Sequence, residues 1–192
     1  MLQDKTFYFL QEQYFIDFPD KGLMKNHETI NGKRHNRPCF YTLKDEKYKE
    51  ILWMIPISSK LEKYHNIYNK KISKYKKCDT LAFGKVLGEE RVFLIQNIFP
   101  VTKKYLSEQY IFNQKPVTII SSLQKELKRK AINTISLTHQ NVKIAFPDIL
   151  KIRTALIKQL ERENARQKVI IRYKQKLNLD VSDKRNNHGM IR

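Results

Sequence analysis

Apolar and polar positions follow two rhythms along this chain, a strand rhythm in the first half and a helical one in the second. Residues 5–10 (KTFYFL) are aromatic-rich and predict a strand. Residues 19–37 are polar, with Pro19, Gly22 and an Asn31-Gly32 pair, and predict a long irregular loop. The runs 39–43 (CFYTL) and 51–57 (ILWMIPI), joined by a charged link at 44–50, predict an antiparallel hairpin. From Ser58 the spacing changes: Leu61, Tyr64, Ile67, Tyr68 and Ile72 recur every three to four positions, one face of a helix with Ser58 or Ser59 as its N-cap.

Two more strands are expected at 79–87 and 91–98, linked through Gly88-Glu89-Glu90 and ended by Pro100. Ile120, Leu123, Leu127 and Ala131 then form an apolar helical stripe, with Ser121 and Gln124 spaced as a capping box. A last helix is expected to open at Pro147, with Ile149, Ile152, Leu156 and Leu160 inward. Beyond about residue 175 the apolar periodicity is lost, which predicts a flexible basic tail over 176–192 behind a single domain of residues 1–175. Strands first and helices after argue an α+β domain with an antiparallel sheet and C-terminal helices.

Charge narrows the function. The 192 residues carry 38 Lys and Arg against 19 Asp and Glu, a net charge of +19, which points to a polyanionic partner. With 41% hydrophobic and 11% aromatic residues the chain is too apolar to be disordered. There is no apolar run of membrane-spanning length, and the N-terminus lacks the pattern of a secretory signal, so a soluble cytoplasmic protein is expected. Cys39 and Cys78 stand alone, and His27, His35 and Cys39 fit no standard ligand spacing, so neither a disulfide framework, a metal site nor a cofactor is expected.

The charge is unevenly placed. Residues 60–77 contain Lys60, Lys63, Lys70, Lys71, Lys74, Lys76 and Lys77 against the single acid Glu62, and 103–192 hold 20 basic and 7 acidic residues. In the first segment the lysines interleave with Tyr64, His65, Tyr68 and Tyr75. Lysines neutralise phosphates and aromatic faces stack on unpaired bases, a combination suited to single-stranded or folded RNA. The plainer alternative makes Tyr64 and Tyr68 core residues and the lysines a solvated face. No helix-turn-helix spacing favours duplex DNA, and no helix pairs a basic face with a broad apolar one for a membrane.

One place gathers the elements of phosphate chemistry. The strand 51–57 delivers Ser58, Ser59 and Lys60 to the start of a helix, where N–H groups, hydroxyls and an ammonium suit an anion. Hairpin pairing brings the basic entrance Lys33-Arg34-His35-Asn36-Arg37 to the same end. Without paired carboxylates the set does not resemble a two-metal nuclease. It suits metal-free attack of an RNA 2′-hydroxyl on its own phosphate, which needs a base, an acid and positive charge on the phosphorane oxygens. Arg37, Lys60 or Lys63 can serve the charge; His65, Tyr41 or a lysine can move protons. From spacing alone Ser58 and Ser59 are more often just a helix N-cap, which leaves a non-catalytic RNA-binding protein, such as a ribosome-associated module, as the alternative.

The stretch Pro56-Ile57-Ser58-Ser59-Lys60…Lys63-Tyr64-His65-Asn66 resembles the P-[LI]-[TS]-S-x-K…W/Y-H-N segment of the ToxN/AbiQ family, toxin endoribonucleases of type III toxin–antitoxin systems (of the CptN/TenpN kind). Arg37-Pro38-Cys39-Phe40 before it and Asn97-Ile98-Phe99-Pro100-Val101 after it agree in order with that family. The resemblance spans roughly residues 5–165 in layout and is sharp at 56–66. This chain is one residue longer between the proline and the His-Asn pair, so either Lys60 or Lys63 takes the place of the catalytic lysine.

The resemblance implies a strongly twisted, barrel-like antiparallel sheet of the MazF/Kid kind with helices packed on it. It implies sequence-selective, metal-independent cleavage leaving a 2′,3′-cyclic phosphate. Residue reading and resemblance together leave Arg37, Tyr41, Ser58, Ser59, Lys60, Lys63 and His65 as catalytic candidates. Lys33, Arg34, Tyr64, Asn66, Lys70, Lys71, Lys74, Lys76 and Lys77 are the candidate RNA contacts. The implied partner is a small antitoxin pseudoknot RNA, cut by the toxin from its own precursor and held with it in a closed assembly, often in phage defence.

Overall fold

The computed structural model describes residues 2–30 and 32–188. In chain order the elements are β1 (Phe7–Leu10), α1 (Glu12–Asp17), β2 (His27–Ile30), β3 (Lys33–Asn36), β4 (Cys39–Lys44), β5 (Ile51–Ser58), α2 (Leu61–Tyr75), β6 (Ala82–Val86), β7 (Glu89–Phe93), β8 (Phe99–Thr102), β9 (Leu106–Gln109), β10 (Ile111–Phe112), β11 (Lys115–Pro116), α3 (Ser121–His139) and α4 (Ile149–His188). The chain divides into two units, Met1–Thr154 and Ala155–Arg192. All the strands belong to the first; the second consists, over its described residues, of the continuation of α4.

The α+β expectation holds. Among the described residues seven strands form one antiparallel sheet in the order β6-β7-β5-β4-β1-β9, with β8 also on β5. The sheet is open, ending at β6 and β9, so the barrel-like expectation is corrected: it is not closed. The eight residues of β5 are all buried, as a near-continuous apolar run requires of a central strand. One edge of β5 pairs with β4. The other is shared by β8, opposite Ile51–Met54, and β7, opposite Ile57 and Ser58. Pro56 stands at the break between them: its carbonyl accepts the Leu94 N–H at 3.0 Å, and it has no N–H to leave unpaired at that edge.

One sheet face packs Trp53, Ile55, Ile57, Phe7, Phe40 and Phe93 against Leu123, Leu127 and Ala131 of α3. The approach is close at β6, where a Cβ on Gly84 would lie 2.1 Å from the Leu123 Cδ2. The other face packs Val92, Leu94 and Leu81 against Tyr64 of α2.

Several boundaries differ from the sequence reading. The loop 19–37 contains the β2–β3 hairpin, with Gly32 at φ +75° in its turn. The β6–β7 turn is the two residues Leu87 and Gly88, at φ 52° and 83°, a tight hairpin that right-twisted strands favour. Pro100 ends no strand; it lies in β8 opposite Trp53, and a short helical turn at Ile95–Asn97 separates β7 from β8. Ser121 is the first residue inside α3 rather than its cap, which is Ile120. At the next helix the Asp148 carboxylate accepts the Lys151 N–H at 3.0 Å, so Asp148 caps α4 and Pro147 precedes it. The backbone of 176–188, expected as a tail, continues α4; 189–192 lie outside the described residues.

Candidate active site

The C-terminal end of β5 opens into a cleft of about 700 Å3. Its floor is Ile57 and Ser58. Arg34, His35 and Asn36 of β3, with Pro38, form one wall; Val86, Leu87, Glu89 and Arg91 of the β6–β7 hairpin form another; Phe9, Tyr110 and Phe112 form a third that is aromatic. Alternation along β7 places Arg91 on the Phe93 side and Glu90 on the Val92 side, where α2 lies. Pairing of Ser58 with Val92 then sets Arg91 next to the end of β5.

Two guanidinium groups reach the cleft. Arg34 is exposed and lies 3.6 Å from the Glu12 carboxylate. Arg91 pairs with Glu89 and donates to the Glu90 carbonyl at 2.9 Å. Phe112 is exposed, and Tyr110 meets Phe9 edge-on at 5.4 Å. A cleft with arginines on two walls and aromatic faces on a third can hold a phosphate chain with its bases stacked.

Arg37 meets this end of the sheet as the hairpin geometry predicts, though its guanidinium faces main chain. It is buried, with Nη1 donating to the Ile57 carbonyl at 2.5 Å and Nε to the Lys25 carbonyl at 3.1 Å. Ser58 is buried and its hydroxyl accepts the Lys60 N–H at 3.2 Å. Neither serine caps α2: the N-cap is Lys60 itself, with no side-chain cap hydrogen bond. Lys60 is exposed two residues beyond the cleft floor, Ser59 is half-buried between them, and Lys63 is exposed one turn further on.

Other candidates sit apart from the cleft. Tyr41 is buried in β4 beside Tyr8, and burial first, with nearby Asp4 and Tyr8, pushes its phenol up to about 12. His65 stacks flat on Phe83 at 4.0 Å, with Nε2 3.9 Å from the Glu90 carboxylate, on the α2 face of the hairpin. Tyr64 is in the core between α2 and the sheet, the plainer of the two readings for that residue. Lys71 turns inward, donating to Thr80 Oγ1 at 2.6 Å and Gln96 Oε1 at 3.3 Å. Lys33, Asn66, Lys70, Lys74, Lys76 and Lys77 are exposed. Cys39 is buried, its thiol pushed up to about 12 by burial against the opposing effect of Arg37. His27 bonds Glu12, whose carboxyl is held below its ordinary value chiefly by the Asn26 amide.

Sequence reasoning missed Arg91, Phe9, Tyr110 and Phe112 as site residues, and it looked for proton transfer at His65 rather than at His35, the histidine that lines the cleft. Alternation within β7 was a usable signal for Arg91; the segment carrying Tyr110 and Phe112 had no assigned structure and gave none.

An open antiparallel sheet with a basic, aromatic-walled cleft at the end of its central strand is the arrangement to compare. No family model matches the sequence, and no curated protein matches it. The fold is similar to that of AbiQ, a lactococcal anti-phage endoribonuclease belonging to the type III toxin–antitoxin system: the TM-score is 0.61 over 83% of this chain and 99% of that one, at 11% identity.

Proposed function

We propose that this chain is the toxin of a type III toxin–antitoxin system, an endoribonuclease that cuts RNA without a metal ion and leaves a 2′,3′-cyclic phosphate. It processes its own antitoxin precursor, is inhibited by the resulting pseudoknot RNA in a closed assembly, and acts in the cytoplasm against cellular or phage RNA. The observation that carries this reading is the fold shared with AbiQ, joined to a cleft whose cations and aromatic rings suit an RNA strand.

In this mechanism Arg34 and Arg91 hold flanking phosphates, and a base stacks on the Phe112 wall. The scissile phosphate lies at Ser58-Ser59-Lys60. The 2′-hydroxyl gives its proton to His35 and its oxygen forms a bond to phosphorus. The bond from phosphorus to the 5′-oxygen breaks, and that oxygen takes a proton from water, to which His35 returns the one it accepted. Lys60 stabilises the charge on the phosphorane oxygens, with Lys63 in support. Arg37 acts as a positioning residue, holding Ile57 and hence Ser58 in place. Proton transfer and charge stabilisation each contribute about 10²–10⁴ in rate.

Expression of the chain alone, with and without Lys60→Ala, tests the proposal. The toxin arrests growth and the variant does not. A non-catalytic RNA-binding module would arrest growth with neither, and that result would overturn it.

A further inference from the structure

We propose that α4 carries a second RNA-contact surface, a basic stripe of Lys158, Arg162, Arg166 and Arg172 that takes the phosphate backbone of folded RNA; the inference rests on the proposal that the chain acts on RNA.

At about 100° per residue these four side chains fall within an arc of roughly 120° on the helix, and they extend over about 21 Å of its axis. All four are exposed, as is every residue from Glu161 to Gln175. Over 161–175 the helix holds five basic residues and two acids, Glu161 and Glu163. Three of the four stripe cations are arginines, whose fork-shaped guanidinium matches phosphate oxygens in pairs. Tyr173, 65% exposed, lies within the same arc and supplies a stacking face among the cations.

The apolar residues of this stretch argue against the other occupants of an exposed basic helix. Val169, Ile170, Ile171 and Tyr173 are all exposed but crowd into little more than one turn. Their directions spread over about 200° of the helix, with Val169 and Tyr173 inside the basic arc itself, so they make no separate apolar face to lie in a membrane. A second copy of the helix would need an apolar seam repeating every three to four residues, and Glu163 and Gln167 interrupt the arc that would supply it. The deep, narrow major groove of A-form RNA does not admit side chains for base reading, so such a stripe adds affinity and not sequence selectivity.

AbiQ is matched over 99% of its length while 17% of this chain lies outside the match, so this chain carries more than the shared fold.

The test uses the full chain with Arg162→Gln, Arg166→Gln and Arg172→Gln combined, and a second variant with lysine at all three positions. Binding of an RNA hairpin with a single-stranded tail is measured across a salt series, with helicity checked by circular dichroism. The glutamine variant is expected to keep its helicity, lose at least about tenfold in affinity, and lower the salt slope by about two to three. The lysine variant keeps the slope, and cleavage of a short single-stranded RNA that fills only the cleft is unchanged in both. Unchanged hairpin affinity and slope in the glutamine variant, while Arg91→Gln weakens binding, removes the α4 surface and leaves the RNA reading standing. Failure of the unsubstituted chain to bind the hairpin overturns the RNA reading and this inference with it. Arginine-dependent binding to phosphatidylserine vesicles in place of the hairpin overturns the choice of RNA as the occupant.

Discussion

The Arg37 guanidinium donates to the main-chain oxygen of Ile57 at 2.5 Å, tying the residue that enters β4 to the end of β5 one step before Ser58. The same residue donates from Nε to the Lys25 carbonyl at 3.1 Å and from its backbone N–H to the Asn26 carbonyl at 2.7 Å. One buried cation thus fixes the chain entering β4, the segment before β2 and the floor of the cleft.

Arg37→Ala leaves two acceptors without their charged donor, each worth about 1–3 kcal/mol when buried. Urea unfolding is expected to show a loss of about 2–4 kcal/mol. Cleavage should fall even at temperatures where the variant is fully folded, because Ser58 is no longer held. A variant that melts early but cuts normally while folded would show that Arg37 supports the fold and not the site.

Lys60 and Lys63 are separated by about one helical turn; along the chain Lys60 lies two residues from Ser58 at the cleft floor and Lys63 five. Lys60→Ala should lower the single-turnover cleavage rate at least about tenfold to a hundredfold, the loss expected of one charge-stabilising group. Lys63→Ala should cost less. The reverse order would move the catalytic lysine down the helix.

Much of this arrangement was legible in the sequence and some was not, for physical reasons. The β4–β5 hairpin followed from two apolar runs and a charged link, and with it the meeting of Arg37 with the end of β5. The role of the guanidinium did not follow, because a charged residue in a basic polar segment gives no sign that it will be buried against carbonyls. The change of partner along β5 depends on Pro56 being tolerated where β8 gives way to β7, and Pro100 lies within β8; local propensity reads both prolines as termination. Ser58 and Ser59 looked like a cap because serine is the common cap; strand pairing with Val92 carried Ser58 into the sheet instead. Tyr110 is held beside β1 by its N–H bond to the Phe7 carbonyl, and Phe112 sits in the short β10–β11 hairpin, which has no periodicity to detect.

Tyr41 titrates far above neutrality because it is buried. Tyr41→Phe is therefore expected to leave the pH profile of cleavage between about pH 6 and 9 unchanged. A lost or shifted limb in that range would return Tyr41 to the proton-transfer machinery.

Asp45 and Arg153 form a two-pronged pair at 2.7 and 2.8 Å that joins the β4–β5 turn to the first turns of α4. Burial alone would raise the Asp45 carboxyl; the Arg153 hydrogen bonds and the Tyr48 and Lys47 N–H groups outweigh it and hold the carboxyl below its ordinary value. A lowered folded-state value means the stabilisation is present above the unfolded value of about 3.9 and is lost as the pH falls through the folded one. Asp45→Asn should cost about 1–3 kcal/mol at pH 7. The gap to the unsubstituted protein should shrink below about pH 4, as read from urea unfolding across pH. A gap that is constant with pH would place the effect in packing alone.

The most direct measurement of the central claim is the chemistry of the cut ends when purified protein is incubated with RNA in excess EDTA. The mechanism predicts cleavage with a 2′,3′-cyclic phosphate on one product and a 5′-hydroxyl on the other, abolished by a 2′-deoxy substitution at the cut nucleotide. Cleavage that requires magnesium in an RNA folded under both conditions, or products bearing a 5′-phosphate, would contradict it.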